Sequence, residues 1–169
     1  MTNIMREIRI EKVVLNVGGT ADNLDKGIKL IERITGKKAV KKISNKRIPT
    51  LGVRPGLAVG GMVTLRGDKA IETLRRLLAA EDNKLRRRQI SENSFSFGVK
   101  EYIEIPGMQY QRDIGLRGLE CSVTFIRPGK RVIKRKIKRG RLPKRQIIQK
   151  EEIVTYLENK LGVIFSGKW

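Results

Sequence analysis

The sequence predicts an α+β fold, a mainly antiparallel sheet with helices gathered on one face. Two observations carry this. Runs of apolar–polar alternation recur along the chain, and between them lie segments whose apolar residues repeat at helical spacing. Their order is strand, helix, strand, strand, helix, further strands and a terminal helix.

The first strand is IRIEKVVLNV (8–17), with Val13, Leu15 and Val17 on one face and Lys12, Val14 and Asn16 on the other. GGTADN turns the chain into a helix ending near Thr35, with Leu24, Ile28 and Ile31 on one stripe and Gly36 as its stop. AVKKIS (39–44) is a short strand and GMVTLRG (61–67) the next. Asp68 is placed to cap the helix DKAIETLRRLLAA, whose stripe is Ala70, Ile71, Leu74, Leu77 and Leu78. SFGVKEYIEI (96–105) alternates, pointing Phe97, Val99, Ile103 and Ile105 inward until Pro106-Gly107 ends it. In ECSVTFI (120–126) the inner side is Cys121, Val123 and Phe125. KEEIVTYLENKLG reads as the last helix, with acids early, Lys160 late and an apolar stripe of Ile153, Leu157 and Leu161.

Helices on one face leave the other face open. Its outward residues are expected to include Lys12, Asn16, Thr64, Arg66, Lys100 and Tyr102, and cations, amides and one aromatic suit an RNA platform. Phe95, Phe97 and Tyr102 have two readings, as core or as base-stacking residues; the core is favoured for all three, since alternation already explains Phe97.

Two segments break the pattern. NKRIPTLGVRPGLAVGG (45–61) fits no helix or strand period, yet it joins two strands and mixes Lys46, Arg47 and Arg54 with glycines, prolines and apolar residues. Long loops of this kind are functional or disordered, so it is either a partner-binding loop or a solvated one. RPGKRVIKRKIKRGRLPKR (127–145) holds eleven Lys or Arg in nineteen residues and no acid. It cannot supply a core of its own. Its Lys134, Arg135, Lys136, Lys138 and Arg139 are candidate phosphate contacts, against the alternative of a solvated tail. The chain therefore divides into a core domain (1–126) and a basic extension with the C-terminal helix (127–169), packed on or near that domain.

Charge narrows the function. The 169 residues include 38 Lys and Arg against 17 Asp and Glu, a net +21 and a pI near 10.7. Such an excess repels itself in the folded state and calls for a polyanionic partner. Nucleic acid is favoured over a membrane surface, because no strongly amphipathic basic helix with bulky aromatics is present. No apolar run is long enough to span a bilayer, and MTNIMREIRIEK lacks a signal-peptide core, so a cytoplasmic protein is expected.

Catalysis is disfavoured. The chain has no histidine and a single cysteine, Cys121, which excludes Cys/His zinc sites, internal disulfides and His-based catalytic groups. Cys121 itself reads as a small buried hydrophobe. VLNVGG lacks the full dinucleotide fingerprint and no Walker lysine motif occurs. Glu101 and Glu104 fall on opposite faces of one predicted strand, and Glu151 and Glu152 are first-turn helix charges. No enzyme activity, cofactor or metal is expected; a binding role is.

IEKVVLNVG, ITGKKAV, VRPGLAVGGMVTLRG and FSFGVKEYIEIPG, in that order, closely resemble the family of the universal large-subunit ribosomal protein number five. The resemblance runs from about residue 8 to residue 127, and GLRGLECSVTFIRPG with its basic extension is similar to the archaeal and eukaryotic branch. It implies a curved antiparallel sheet that meets 5S rRNA in the central protuberance. It implies that the 45–61 loop reaches the elbow of peptidyl-site tRNA through Lys46, Arg47 and Arg54. Contact with a small-subunit head protein across the subunit interface and with neighbouring central-protuberance proteins is also implied. Asn16 in LNVG, Lys37 and Lys38 in TGKKAV, and Thr64 and Arg66 in VTLRG match positions on the RNA-facing side; lysine at 37–38 favours phosphate contact over base readout. The basic stretch departs from the shorter bacterial form, and large-subunit rRNA is its expected partner. Lys12 and Lys100 complete the expected rRNA-binding set.

Overall fold

Residues 3–167 are described by a computed structural model. In chain order the elements are β1 (Arg9–Gly18), α1 (Asp22–Thr35), β2 (Val40–Ile43), β3 (Ala58–Leu65), α2 (Asp68–Ala80), β4 (Lys84–Arg86), β5 (Ile90–Ser91), β6 (Ser94–Val99), β7 (Leu119–Ile126), α3 (Arg131–Lys134), α4 (Lys150–Leu161) and β8 (Ile164–Ser166). Six strands form one antiparallel sheet in the order β2-β3-β1-β7-β6-β5, while β4 and β8 make a small parallel pair.

The alternation in β1, β3 and β7 sends one apolar row inward. Val13, Leu15, Leu65, Cys121, Val123 and Phe125 are buried against the stripes of α1 (Leu30, Ile31, Ile34), α2 (Leu74, Leu77, Leu78) and α4 (Ile153, Leu157). Each such Leu, Ile or Phe contributes about 1.5–3 kcal/mol on leaving water. Phe125 stacks on Phe95 at 5.7 Å between ring centres and meets Tyr156 of α4 edge-on at 5.5 Å. The terminal helix thus shares the core built by the first strand. Burial also pushes the Cys121 thiol up to about 12, so it stays protonated and inert.

α1 lies unusually close to the sheet. A Cβ on Gly27 would stand 2.3 Å from Val17 Cγ1, and one on Gly61 of β3 would stand 2.7 Å from Ile28 Cγ1. Two glycines, one on each surface, set this approach. Gly36 ends the helix at φ +64°, its N–H donating to Glu32 O at 2.7 Å.

Three expectations are corrected. The strand predicted to reach Ile105 stops at Val99, and Tyr102–Glu104 form a 3-10 turn. The apolar period there is three, not two: Tyr102 and Ile105 are buried, and Ile103 is 38% exposed. The Tyr102 N–H donates to Arg117 O, and its hydroxyl accepts from the Gln111 N–H at 2.8 Å, so Tyr102 is absent from the open face. Asp68 is the first residue of α2 rather than its cap; Gly67, at φ +70°, holds the cap position without a side-chain bond.

The third correction concerns the loop. Its distal part is a small hairpin, in which Ile48 and Val53 exchange N–H···O bonds of 2.9 and 3.1 Å around a 3-10 turn at Pro49–Leu51. Val53 is buried within it, and β3 begins already at Ala58. The basic stretch contains α3. No described helix is long and apolar enough to cross a membrane.

Candidate nucleic-acid interface

The residues between the buried positions of the sheet form its open face, and the strand register arranges them in rows. One row reads Val40, Met62, Asn16, Glu120 and Gly98 across β2, β3, β1, β7 and β6. The next is Thr64, Val14, Ser122 and Ser96, followed by Lys12, Thr124 and Ser94. The centre is therefore dominated by hydroxyls and small residues, with a single acid. Hydroxyls serve both as donors and as acceptors and suit ribose and phosphate oxygens, while the small residues allow a backbone to come close. No aromatic stands here: Phe95, Phe97 and Tyr102 are all in the core.

The cations lie at the two ends. Beyond Gly18 and Gly60 the β2–β3 hairpin projects, carrying Lys46, Arg47 and Arg54, all exposed and without a side-chain partner among the described residues. Lys100, just past β6, is exposed at this same end, where a shallow cleft is lined by Asn16, Glu120 and Lys100. At the other end Lys12 is half-buried on the face, and Arg66 follows Leu65 and is exposed. Arg127 and the basic stretch leave from there too, because Ile126 pairs with Arg9. Nine residue steps along β1 separate the ends, about 30 Å at strand rise. Lys37 and Lys38 stand exposed before β2, at the free edge of the sheet.

Local bonds shape these groups. Asn16 Nδ2 donates weakly to Glu120 Oε2 at 3.4 Å across the neighbouring strands of the face. Lys41 is drawn to the helix side by Asp25 at 2.8 Å and is lost to the interface. Of the five candidates in the basic stretch, Lys134 is engaged inside the protein, bonded to Glu11 alongside Lys130. Arg139 Nε reaches Arg135 O at 3.4 Å, and Arg135, Lys136 and Lys138 are exposed.

Reading the sequence missed Glu120, Glu11 and the serine rows. The serines were signalled by the polar positions of SFSFG and ECSVT. Glu11 was not, because it occupies a bulge where the β1–β7 register slips between Ile10 and Lys12.

The family model described as ribosomal protein L5 matches residues 3–54, and the model for the C-terminus of the same ribosomal family matches residues 58–154. The chain belongs to the ribosomal protein L5 family. It is 46% identical over 166 residues to the large ribosomal subunit protein uL5 of Nanoarchaeum equitans, covering 96% of this chain and 98% of that protein. Proteins of the same name from Sulfurisphaera tokodaii (39% identical; 95% and 93% covered) and Archaeoglobus fulgidus (37%; 96% and 92%) are similar along the same span. Family membership makes the chain a structural ribosomal protein rather than an enzyme.

Proposed function

We propose that the chain docks 5S rRNA into the large ribosomal subunit through the open face of its sheet. The observation that carries this reading is the hydroxyl-lined face held between two basic ends. Phosphate neutralisation at the ends supplies affinity, and a preformed surface of Asn16, Thr64 and the serine rows supplies shape recognition. Lys12, Arg66, Lys100, Lys37 and Lys38 contact phosphates around that surface. The projecting hairpin, with Lys46, Arg47 and Arg54, reaches peptidyl-site tRNA, and exposed Leu51 at its tip gives it an apolar contact point. The same protuberance brings the chain to a small-subunit head protein and to neighbouring large-subunit proteins. The setting is the cytoplasmic ribosome, and the archaeal relatives, themselves large-subunit proteins by name, support the large subunit.

Filter binding of the purified chain to 5S rRNA, with transfer RNA and an unrelated structured RNA as competitors, tests this. The expected outcome is a 5S rRNA complex that survives salt concentrations at which the competitors are released. Equal salt sensitivity for all three RNAs would make the chain a general RNA binder and remove the proposal.

A further inference from the structure

A cavity of about 560 Å³ opens between the end of β7 and the basic stretch, at the end of the sheet away from the hairpin. Phe125, Ile126, Ile133 and Leu142 give it an apolar lining, and Arg139 and Arg141 also border it. Its volume lies within the range of pockets that enclose small planar ligands, about 300–1,000 Å³. Arg127 forms part of the wall and is only 9% exposed. Its guanidinium is clamped from two sides: Nη1 donates to Arg145 O at 3.0 Å and Nη2 to Glu152 Oε1 at 2.6 Å. Its Nε is buried without a partner, and so is Oε1 of Gln146, another lining residue. Unmet buried polar atoms in native proteins call for a reason.

We propose that this cavity receives one extruded nucleobase of an RNA strand. The base packs against Phe125, Ile133 and Leu142, and its edge meets Arg127 and Gln146, whose donor and acceptor complement the mixed pattern of a base edge. Flanking phosphates rest on Arg139 and Arg141. RNA is favoured over an apolar peptide side chain because the segment around the cavity, 127–145, carries eleven cations and no acid. Splayed bases are the usual targets of specific RNA readout, and the slot here is apolar with Arg139 and Arg141 at its border. The slot is preformed, since α3 is held to β1 through Lys130 and Glu11. The inference rests on the reading of the chain as an RNA binder, but it names a site separate from the open face.

The test uses the full chain and short RNA hairpins carrying a single A, C, G or U bulge, with the fully paired parent and an abasic bulge as references. At least one bulged hairpin is expected to bind about tenfold more tightly than both references, a difference of about 1.4 kcal/mol. Ile133→Trp, which fills the slot, and Gln146→Leu, which removes the acceptor, should each erase that preference while 5S rRNA affinity is unchanged. Loss of 5S rRNA binding in the unmodified chain would count against the open face and leave the bulge comparison standing. Equal binding of bulged and abasic hairpins overturns the proposal and leaves the cavity to a protein side chain or to none. Full preference retained by a folded Ile133→Trp variant overturns it as well; if that variant does not fold, Gln146→Leu decides by the same readout.

Discussion

Glu11 and Lys130 are 119 residues apart in the chain, and their side chains meet at 2.9 Å. Lys134 bonds to the other carboxylate oxygen, so a single acid holds both ends of α3 against the first strand. Burial raises the Glu11 carboxyl, but hydrogen bonds and charge from Lys134 and Lys130 outweigh it and leave it below its ordinary value.

A depressed carboxyl contributes stability above its unfolded value and loses it as pH falls through the folded one. Amides of α3 and its cap, such as Ile133 and Arg135, should therefore stay protected at neutral pH and lose protection on acidification below about 4.3. Glu11→Gln should show the loosened state already at pH 7, at a cost of about 1 kcal/mol for the lost charged bonds. Hydrogen exchange across the pH range checks this; equal protection in both proteins would mean that the bond holds nothing.

Gly27→Ala should destabilise the protein. Alanine normally improves a helix interior by about 1 kcal/mol. Here its methyl would collide with Val17 Cγ1, and overpacking of this kind costs about 1–3 kcal/mol. Urea unfolding is expected to give a net loss, and Val17→Ala in the same chain should recover part of it by opening room. A stabilised single variant would show that α1 can move away freely.

On the open face, Arg66→Ala and Asn16→Ala should each weaken 5S rRNA binding by about 1–3 kcal/mol with the fold intact. Glu120→Gln should act in the opposite direction, since it removes the one acid from the central rows. Affinities measured by filter binding decide it, and unchanged values in all three would move the RNA to another surface.

The basic stretch should contribute mainly charge. Replacing Arg135, Lys136, Lys138 and Arg141 with Gln should lower the slope of log K against log salt for ribosomal RNA by about 0.7–0.9 per lost phosphate contact. Lys134 is left in place because it holds Glu11. Cooperative melting should persist; an unaltered slope would mean that these side chains face only solvent.

Deleting residues 46–55 with a short Gly-Ser bridge keeps Ser44 and Leu57, which are joined by the Ser44 N–H bond to Leu57 O at 2.9 Å. The only buried apolar side chain lost is Val53, which packs within the hairpin itself. Folding and 5S rRNA affinity should be near normal, because loop length costs little closure entropy. Peptidyl-site tRNA should dissociate faster from ribosomes carrying the shortened chain. Unchanged dissociation together with lost 5S rRNA binding would assign the hairpin to the rRNA side.

The parts of the fold legible in the sequence are those where a single period governs a long segment. The rows of β1 and β7 and the stripe of α2 are of this kind, since Val13, Leu15, Val123, Leu74 and Leu77 occupy the buried positions that their spacing implies. The outward placement of Tyr102 fails because KEYIEI keeps an apparent alternation through a change of backbone, with no Pro or Gly between Val99 and Ile105 to mark it. β4 and β8 escaped because three residues carry no usable period, and their pairing is set by the way α2 and α4 end. Asn16, Thr64 and Lys12 were legible on the open face as the polar half of an alternation. The placement of cations at two ends was not, because it depends on the register between strands far apart in sequence.

β1 is the first strand to be made, yet it lies in the middle of the sheet between β3 and β7. One of its edges can be satisfied once Leu65 has been added, the other only after Ile126. At typical synthesis speeds of about 5–20 residues per second, that second edge waits roughly 3–12 s beyond the first. During this interval the nascent chain offers a row of unpaired N–H and C=O groups to any neighbour on the same messenger. Arg9, Glu11 and Lys12 cluster at one end of that row, and charged side chains of this kind deter edge-to-edge pairing. The charges around Glu11 thus guard the growing polypeptide before Glu11 ever holds α3 in the finished one.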